Sequence, residues 1–253
     1  MCLILFAHNV HPDYPLVLAA NRDEFYARPT DAAGFWKAHP ELLAGRDLEA
    51  GGTWLGMSRG GRFAAITNFR EGERSDTQKS RGQLTLDYLL SRVPPQLYLQ
   101  QLKGRADEYA GFNLLLGDEE GLHYYGNRVT EPRCLQDGIY ALGNGTLYDD
   151  WHKMHKGKDD LAHAIDGKVR PEEVLQLMRD ESRPEDAYLP DTGVDLELER
   201  LLSSRFIRSE HYGTRATTVL LIDRRGNVDF LEQNYTRQGA SGAVRRFRFQ
   251  LET

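Results

Sequence analysis

Apolar residues gather along the chain in short runs of two different periods. Leu3–Ala7 and Leu16–Ala20 are unbroken apolar runs joined by NVHPDYP, whose Pro12, Asp13 and Pro15 supply turn chemistry. They predict strands over 2–8 and 16–20. GGTWLGM (51–57) and RFAAITN (62–68) flank Ser58-Arg59-Gly60-Gly61 and predict a hairpin. REGERSDTQKS (70–80) has no apolar period and reads as an exposed loop. The period then turns helical: Leu84, Leu86, Tyr88, Leu89 and Leu90 predict a helix over 82–92, and Leu97, Leu99 and Leu102 a second after Pro94-Pro95. Strands return at 111–118, 121–127 and 138–144. Helices follow at 147–163, at 171–180 with Pro171 in the first turn, and at 195–207. ATTVLLID (216–223) and NVDFLEQ (227–233) form a closing hairpin, with RFRFQLE (246–252) as a last strand. Strands joined by tight turns, interrupted by groups of helices, predict an α+β fold of antiparallel sheet in a single domain, residues 1–253.

Composition narrows the class. The chain is 40% hydrophobic with 10 Phe, 12 Tyr and 3 Trp, enough for a sizeable core. A net charge of −6 gives no whole-chain attraction to phosphate backbones, so no nucleic-acid partner is expected. The apolar runs fall far short of the ~20 residues that a membrane-spanning helix needs. The amino terminus has no basic stretch and reaches His8 after a handful of apolar residues, a poor secretory signal. Two cysteines, Cys2 and Cys134, make no disulfide framework and predict a reducing, cytoplasmic location. The glycines of GRDLEAGGTW and LGNGT form no phosphate loop. His152 and His155 have no third ligand at metal spacing, so neither metal nor cofactor is expected.

Candidate chemistry starts at Cys2. A cysteine in a first strand is ordinarily a small core residue. Cleavage after Met1, however, would leave Cys2 with a thiol and a free α-amine of pKa ~7.7–8.0 on one residue, a nucleophile and its base. Position alone leaves the two readings even. Asn21-Arg22-Asp23-Glu24 follows an apolar strand and reads first as a solvated strand end. Beside Cys2, an acid there could hold the α-ammonium and an arginine could hold an anionic group. Asn68 and Asn144 close strands and suit turns, or they aim amides at an oxyanion. Arg205, after the Leu196–Leu202 helix, reads as inward-pointing, and Arg208 as a surface residue.

Taken together, MCLILFA, LAANRDEFYARP, GGTWLG, TNFRE, GFNLLLGD, YYGN and GTRATT closely resemble the NRDE family, which includes the transport-and-Golgi-organisation-2 proteins. The resemblance runs nearly end to end. It implies an N-terminal-nucleophile-hydrolase-like fold, a four-layer αββα sandwich of two antiparallel sheets. Eukaryotic members are linked to haem mobilisation and to lipid or acyl-coenzyme A metabolism. The chain also resembles, more distantly, the N-terminal cysteine amidases of the cholylglycine hydrolase and penicillin V acylase family. That likeness implies Cys2 as nucleophile, Asn68 as an oxyanion donor and Asn144, followed by Tyr148 and Trp151, as a second asparagine. Arg205 in SSRFIR matches that family's arginine. The amidases carry an Arg-x-x-Asp arrangement. In register, Asn21 and Glu24 take those places; shifted by one, Arg22 and Asp23 do.

The expected function is an N-terminal cysteine hydrolase or acyltransferase acting on a small amide, ester or thioester, the amide reaction being at C–N bonds other than peptide bonds. Catalysis is expected from Cys2, Arg22, Asp23, Asn68, Asn144 and Arg205. Asn21, Glu24, Trp54 and Arg215 are expected to bind substrate. The rival expectation is a non-catalytic carrier or chaperone of a hydrophobic ligand, haem or an acyl chain.

Overall fold

The computed structural model describes residues 2–71 and 79–252. The elements run β1 (Cys2–His8), β2 (Leu16–Phe25), β3 (Thr30–Trp36), β4 (His39–Asp47), β5 (Leu55–Ser58), β6 (Phe63–Asn68), α1 (Gly82–Leu90), α2 (Pro95–Lys103) and β7 (Phe112–Asp118). After these come β8 (Gly121–Gly126), β9 (Arg133–Cys134), β10 (Gly138–Leu142), α3 (His152–Ala164), α4 (Pro171–Leu177), α5 (Leu196–Leu202), β11 (Tyr212–Ile222), β12 (Asn227–Thr236) and β13 (Gly239–Gln250). Every strand pair is antiparallel, so the fold is α+β with two antiparallel sheets. No helix among the described residues is long and apolar enough to cross a membrane. Of the predicted 70–80 loop, residues 72–78 lie outside the described residues.

Two differences from the sequence reading have physical causes. TDAAGFW and HPELLAGRD form β3 and β4 although neither carries a long apolar run, because strand pairing supplies what their composition does not. The second strand does not stop at Ala20. It continues through Asn21-Arg22-Asp23-Glu24 to Phe25, paired with β11 throughout and with β1 as far as Arg22.

The chain divides into two compact units, residues 1–27 with 137–250 and residues 28–136 with 251–253. The first is built on a sheet of order β10-β1-β2-β11-β12-β13. Strand alternation puts Leu3, Leu5, Ala7, Val17, Ala19, Val219 and Leu221 on one face, where they pack with Met154 and Leu161 of α3 and Val174 of α4. Gly157 lets α3 come close: a Cβ there would lie 2.8 Å from a Leu5 methyl.

The second unit is built on a sheet of order β3-β4-β5-β6-β7-β8-β9. Leu42, Ala44, Ala64, Ile66, Leu114 and Leu116 pack with Leu84, Leu89 and Leu99 of α1 and α2. GGTWLG is the device that docks α1. Gly51 turns the chain at φ +79°, and a Cβ on Gly52 would stand 2.5 Å from the Gly82 carbonyl carbon and oxygen. The Thr53 N–H donates to that carbonyl at 3.2 Å, and the Thr85 hydroxyl donates to the Thr53 carbonyl.

Replacing Gly52 with alanine should therefore push α1 off β5 and cost about 1–3 kcal/mol, the usual range for overpacking. A lower urea midpoint at constant slope is the expected readout; an unchanged midpoint would mean the approach is not tight.

Candidate active site

Cys2 is a half-buried residue at the start of β1, and its Cα partner on β2 is Arg22. Arg22 in turn pairs with Ala216 of β11. On the other edge of β1 the pairing with β10 ends at Ile4↔Leu142, and Asn144 follows two residues after that pair. One row across the sheet end holds Cys2, Arg22 and Ala216. Asn144 is 1% exposed, and the chain after it is fixed by Asp149, which accepts from the Thr146 N–H and hydroxyl at 2.9 and 2.8 Å.

The pleat sorts Asn21-Arg22-Asp23-Glu24 onto two faces. Asn21 and Asp23 share the face of Val17 and Ala19, which α3 and α4 cover. Arg22 and Glu24 take the face of Cys2 and Ile4, and the Glu24 carboxylate lies 3.9 Å from the Arg22 guanidinium.

On the helix-covered face, Asn21 is 1% exposed and fully engaged. Its amide donates to the Met178 and Arg205 carbonyls at 2.9 and 2.7 Å and accepts from the Thr217 hydroxyl at 2.6 Å. It holds the segments after α4 and α5 onto β2. Asp23 accepts from the Thr214 hydroxyl at 2.7 Å, and Thr214 accepts from the Ile207 N–H at 2.9 Å. Burial pushes the Asp23 carboxyl up to about 6, against the pull of the nearby Lys153 ammonium and the Thr214 bond. Burial likewise raises the Cys2 thiol, and the Asp23 charge adds to that rise. The Arg22 guanidinium and the Asp23 main-chain N–H favour the thiolate.

Lys153, Thr214 and Thr217 are neighbours of this cluster that the sequence did not disclose. Lys153 stands between His152 and Met154 in a polar stretch, yet it is buried and donates to the Leu202 carbonyl at 2.7 Å. The two threonines lie within GTRATT, on either side of a bulge.

Arg205 points elsewhere. Its guanidinium donates to Asp160 at 2.5 Å and Asp180 at 2.6 Å, and Lys156 joins the same two carboxylates. Despite their partial burial, the bonds from Lys156 and Arg205 hold both carboxyls below the usual range. This ion cluster cross-links α3 to the segment after α4 through one nitrogen of the Arg205 guanidinium.

Asn68 and Trp54 belong to the other unit. Asn68 ends β6 opposite Phe112, in the row whose side chains join the helix-side cluster, because its parity is that of Ala64 and Ile66. The Trp54 ring packs over Gly45, where a Cβ would meet it at 2.4 Å.

A family model described as Transport and Golgi organisation 2 matches residues 1–237. The chain belongs to the Transport and Golgi organisation 2 family. Relatives bearing that name include the Bos taurus homolog, 38% identical over 92% of this chain and 93% of its own. The Homo sapiens homolog is 34% identical over the full length of both, and the Drosophila melanogaster protein 28% identical over 93% of each. These names state no reaction. Two solved structures are similar at lower levels. A Caenorhabditis elegans N-acylethanolamine-hydrolyzing acid amidase ortholog has a TM-score of 0.47 at 10% identity, covering 87% of this chain and 92% of its own. The C2A mutant of Clostridium perfringens conjugated bile acid hydrolase has a TM-score of 0.45 at 10% identity, covering 99% and 97%. Neither likeness bears on residue roles in the Transport and Golgi organisation 2 chain; its architecture rests on the strand order and helix cover above.

The raised Asp23 carboxyl makes a signed prediction. The unfolded group titrates near 3.8 and the folded one near 6, so its contribution to stability is full below about pH 4 and is lost as pH rises through about 6. Asp23→Asn should be more stable than the parent at neutral pH, by up to ~3 kcal/mol, with the gap closing in acid. Denaturant midpoints measured across that range check it. A variant less stable at neutral pH would contradict the burial account.

Proposed function

We propose that the protein is an N-terminal cysteine hydrolase or acyltransferase acting on a small amide, ester or thioester. The observation that carries this reading is the register at the end of β1. Cys2 has Arg22 as its partner on β2, and Asn144 follows two residues after Leu142, the last residue of β10 paired with β1. Asp23 lies one residue beyond Arg22, level with the point where the α-amine of a chain beginning at Cys2 would project.

In the proposed reaction the Cys2 sulfur bonds to the substrate carbonyl carbon while the α-amine takes the thiol proton. The carbonyl π electrons move to oxygen, and the Asn144 amide donates to that oxyanion. Collapse breaks the bond to the leaving amine, alcohol or thiol, which receives the proton from the α-ammonium. Water, or a second acceptor, then adds to the thioester by the same path and restores Cys2. Asp23 holds the ammonium through the cycle, and Arg22 favours the sulfur anion. Asn68 has no step in this scheme.

A second reading, a carrier of a hydrophobic ligand, is favoured by a different observation. A cleft of about 920 Å³ lies between the β1–β2 turn, β10 and the end of α3, with apolar walls from Val10, Tyr14, Ile139, Ile165 and Val169. It sits beyond the His8 end of β1, roughly 20 Å along the strand from Cys2 at ~3.3 Å per residue.

One experiment separates the two. Reaction with an activated acyl thioester should fall at least ~100-fold in Cys2→Ala, as loss of a nucleophile requires. Cys2→Ser and a chain whose Met1 is kept by an added N-terminal residue should be similarly inactive. Full turnover in Cys2→Ala overturns the hydrolase reading. Stoichiometric binding of a fluorescent fatty acid, indifferent to a blocked amino terminus and without turnover, supports the carrier.

A further inference from the structure

The polar strip on the Cys2 face extends past Cys2 itself. Along β2, Arg22 and Glu24 point to that face, and Tyr26 follows at the same parity just after the strand end. Opposite them, β11 shifts register between Thr214 and Ala216: Thr214 pairs with Asp23 and Ala216 with Arg22, so Arg215 is the extra residue of a bulge. The bulge turns Arg215 toward the strip. Its guanidinium donates to the Phe25 carbonyl at 2.8 Å and lies 6.0 Å from the centre of the Tyr26 ring. Gly213 makes room for this, since a Cβ there would stand 2.3 Å from the Tyr26 hydroxyl. Within the strip, Arg22 is 5% exposed and Arg215 half-buried, while Glu24 directs one oxygen to the Phe25 N–H at 2.9 Å and the other toward Arg22. On this face of the sheet two guanidiniums outnumber the one carboxylate, Asp23 lying on the opposite face. Burial, and after it the Arg22 charge, disfavours Arg215's own charge.

We infer that Arg22 and Arg215 form an anion subsite, and that the acyl group delivered to Cys2 carries a negative charge a few atoms from its carbonyl, as a carboxylate or a phosphate. This rests on the Cys2 reading proposed above. The fork of a guanidinium suits either group, and the half-buried position strengthens a charge-assisted bond relative to one in open water. Glu24 offsets part of the repulsion between the two cations, and the guanidiniums disfavour substrates with a positive group at that place.

The test compares two S-phenyl thioesters that differ in one charge, the neutral butyryl and the anionic succinyl compound, by the rate of acyl transfer to Cys2 measured by mass spectrometry. The wild-type protein should favour the succinyl probe by roughly tenfold or more, the worth of one hydrogen bond to a charged group. Arg215→Gln should bring the ratio to about one, and Arg215→Lys should restore part of it. A purely structural role for Arg215 would slow both probes alike and leave the ratio unchanged, which overturns the inference; so does a wild-type ratio near one. Inorganic phosphate should compete against the succinyl probe if a phosphate is the natural group, and succinate should compete better if a carboxylate is. Failure of both probes to modify Cys2 would instead overturn the nucleophile reading. The subsite is then decided in Cys2→Ala protein by calorimetric titration with succinate: weaker binding on adding Arg215→Gln supports it, and equal binding refutes it.

Discussion

The site depends on one constraint, the pleat of β2 carried unbroken through four polar residues. A strand has two faces and successive side chains must alternate between them. Asn21 and Asp23 therefore go under the helices, and Arg22 and Glu24 go to the face of Cys2. Had the strand ended at Ala20, all four would have been free to turn to solvent. Continued pairing with β11 forbids this, and the threonines of GTRATT meet the two residues sent inward: Thr217 bonds Asn21 and Thr214 bonds Asp23.

That arrangement sets stability against chemistry. A carboxyl held under the helices with a raised pKa is a cost in a resting fold. Such a cost is understandable where the group must meet an ammonium at the chain start, because the two charges then stabilise each other in a poorly solvated place. The neighbouring Asn21 has the opposite character. Three hydrogen bonds satisfy it inside the protein, and its work is to fix the carbonyls after α4 and α5. Two residues on one face of one motif thus differ in how fully hydrogen bonds satisfy them.

The layout of strands and helices was largely legible in the sequence, because apolar runs such as LILFA and the Leu84–Leu90 pattern set their own periods. β3 and β4 were not, since sheet pairing overrode a weak local pattern. In the site, the nearness of Cys2 to Arg22 followed from two consecutive strands. The fate of Arg205 did not. An inward-pointing arginine was correctly read from its place after a helix, but Asp160 and Asp180 lie 45 and 25 residues away and no local pattern links them. Trp54 was conspicuous in GGTWLG for a packing reason, its ring over Gly45, that only tertiary contacts reveal. Lys153 was missed for the same cause: burial of a lysine in a polar helix start depends on what α5 brings against it.

The central claim is that the chain start is the reactive group. The most direct measurement is the intact mass and peptide map of the protein after brief exposure to an acyl thioester, trapped in acid. The account predicts a chain beginning at Cys2 that carries one acyl group as a thioester on that residue, with Cys134 unmodified. A chain that keeps Met1, or an acyl group found on Cys134 with Cys2 free, would contradict it.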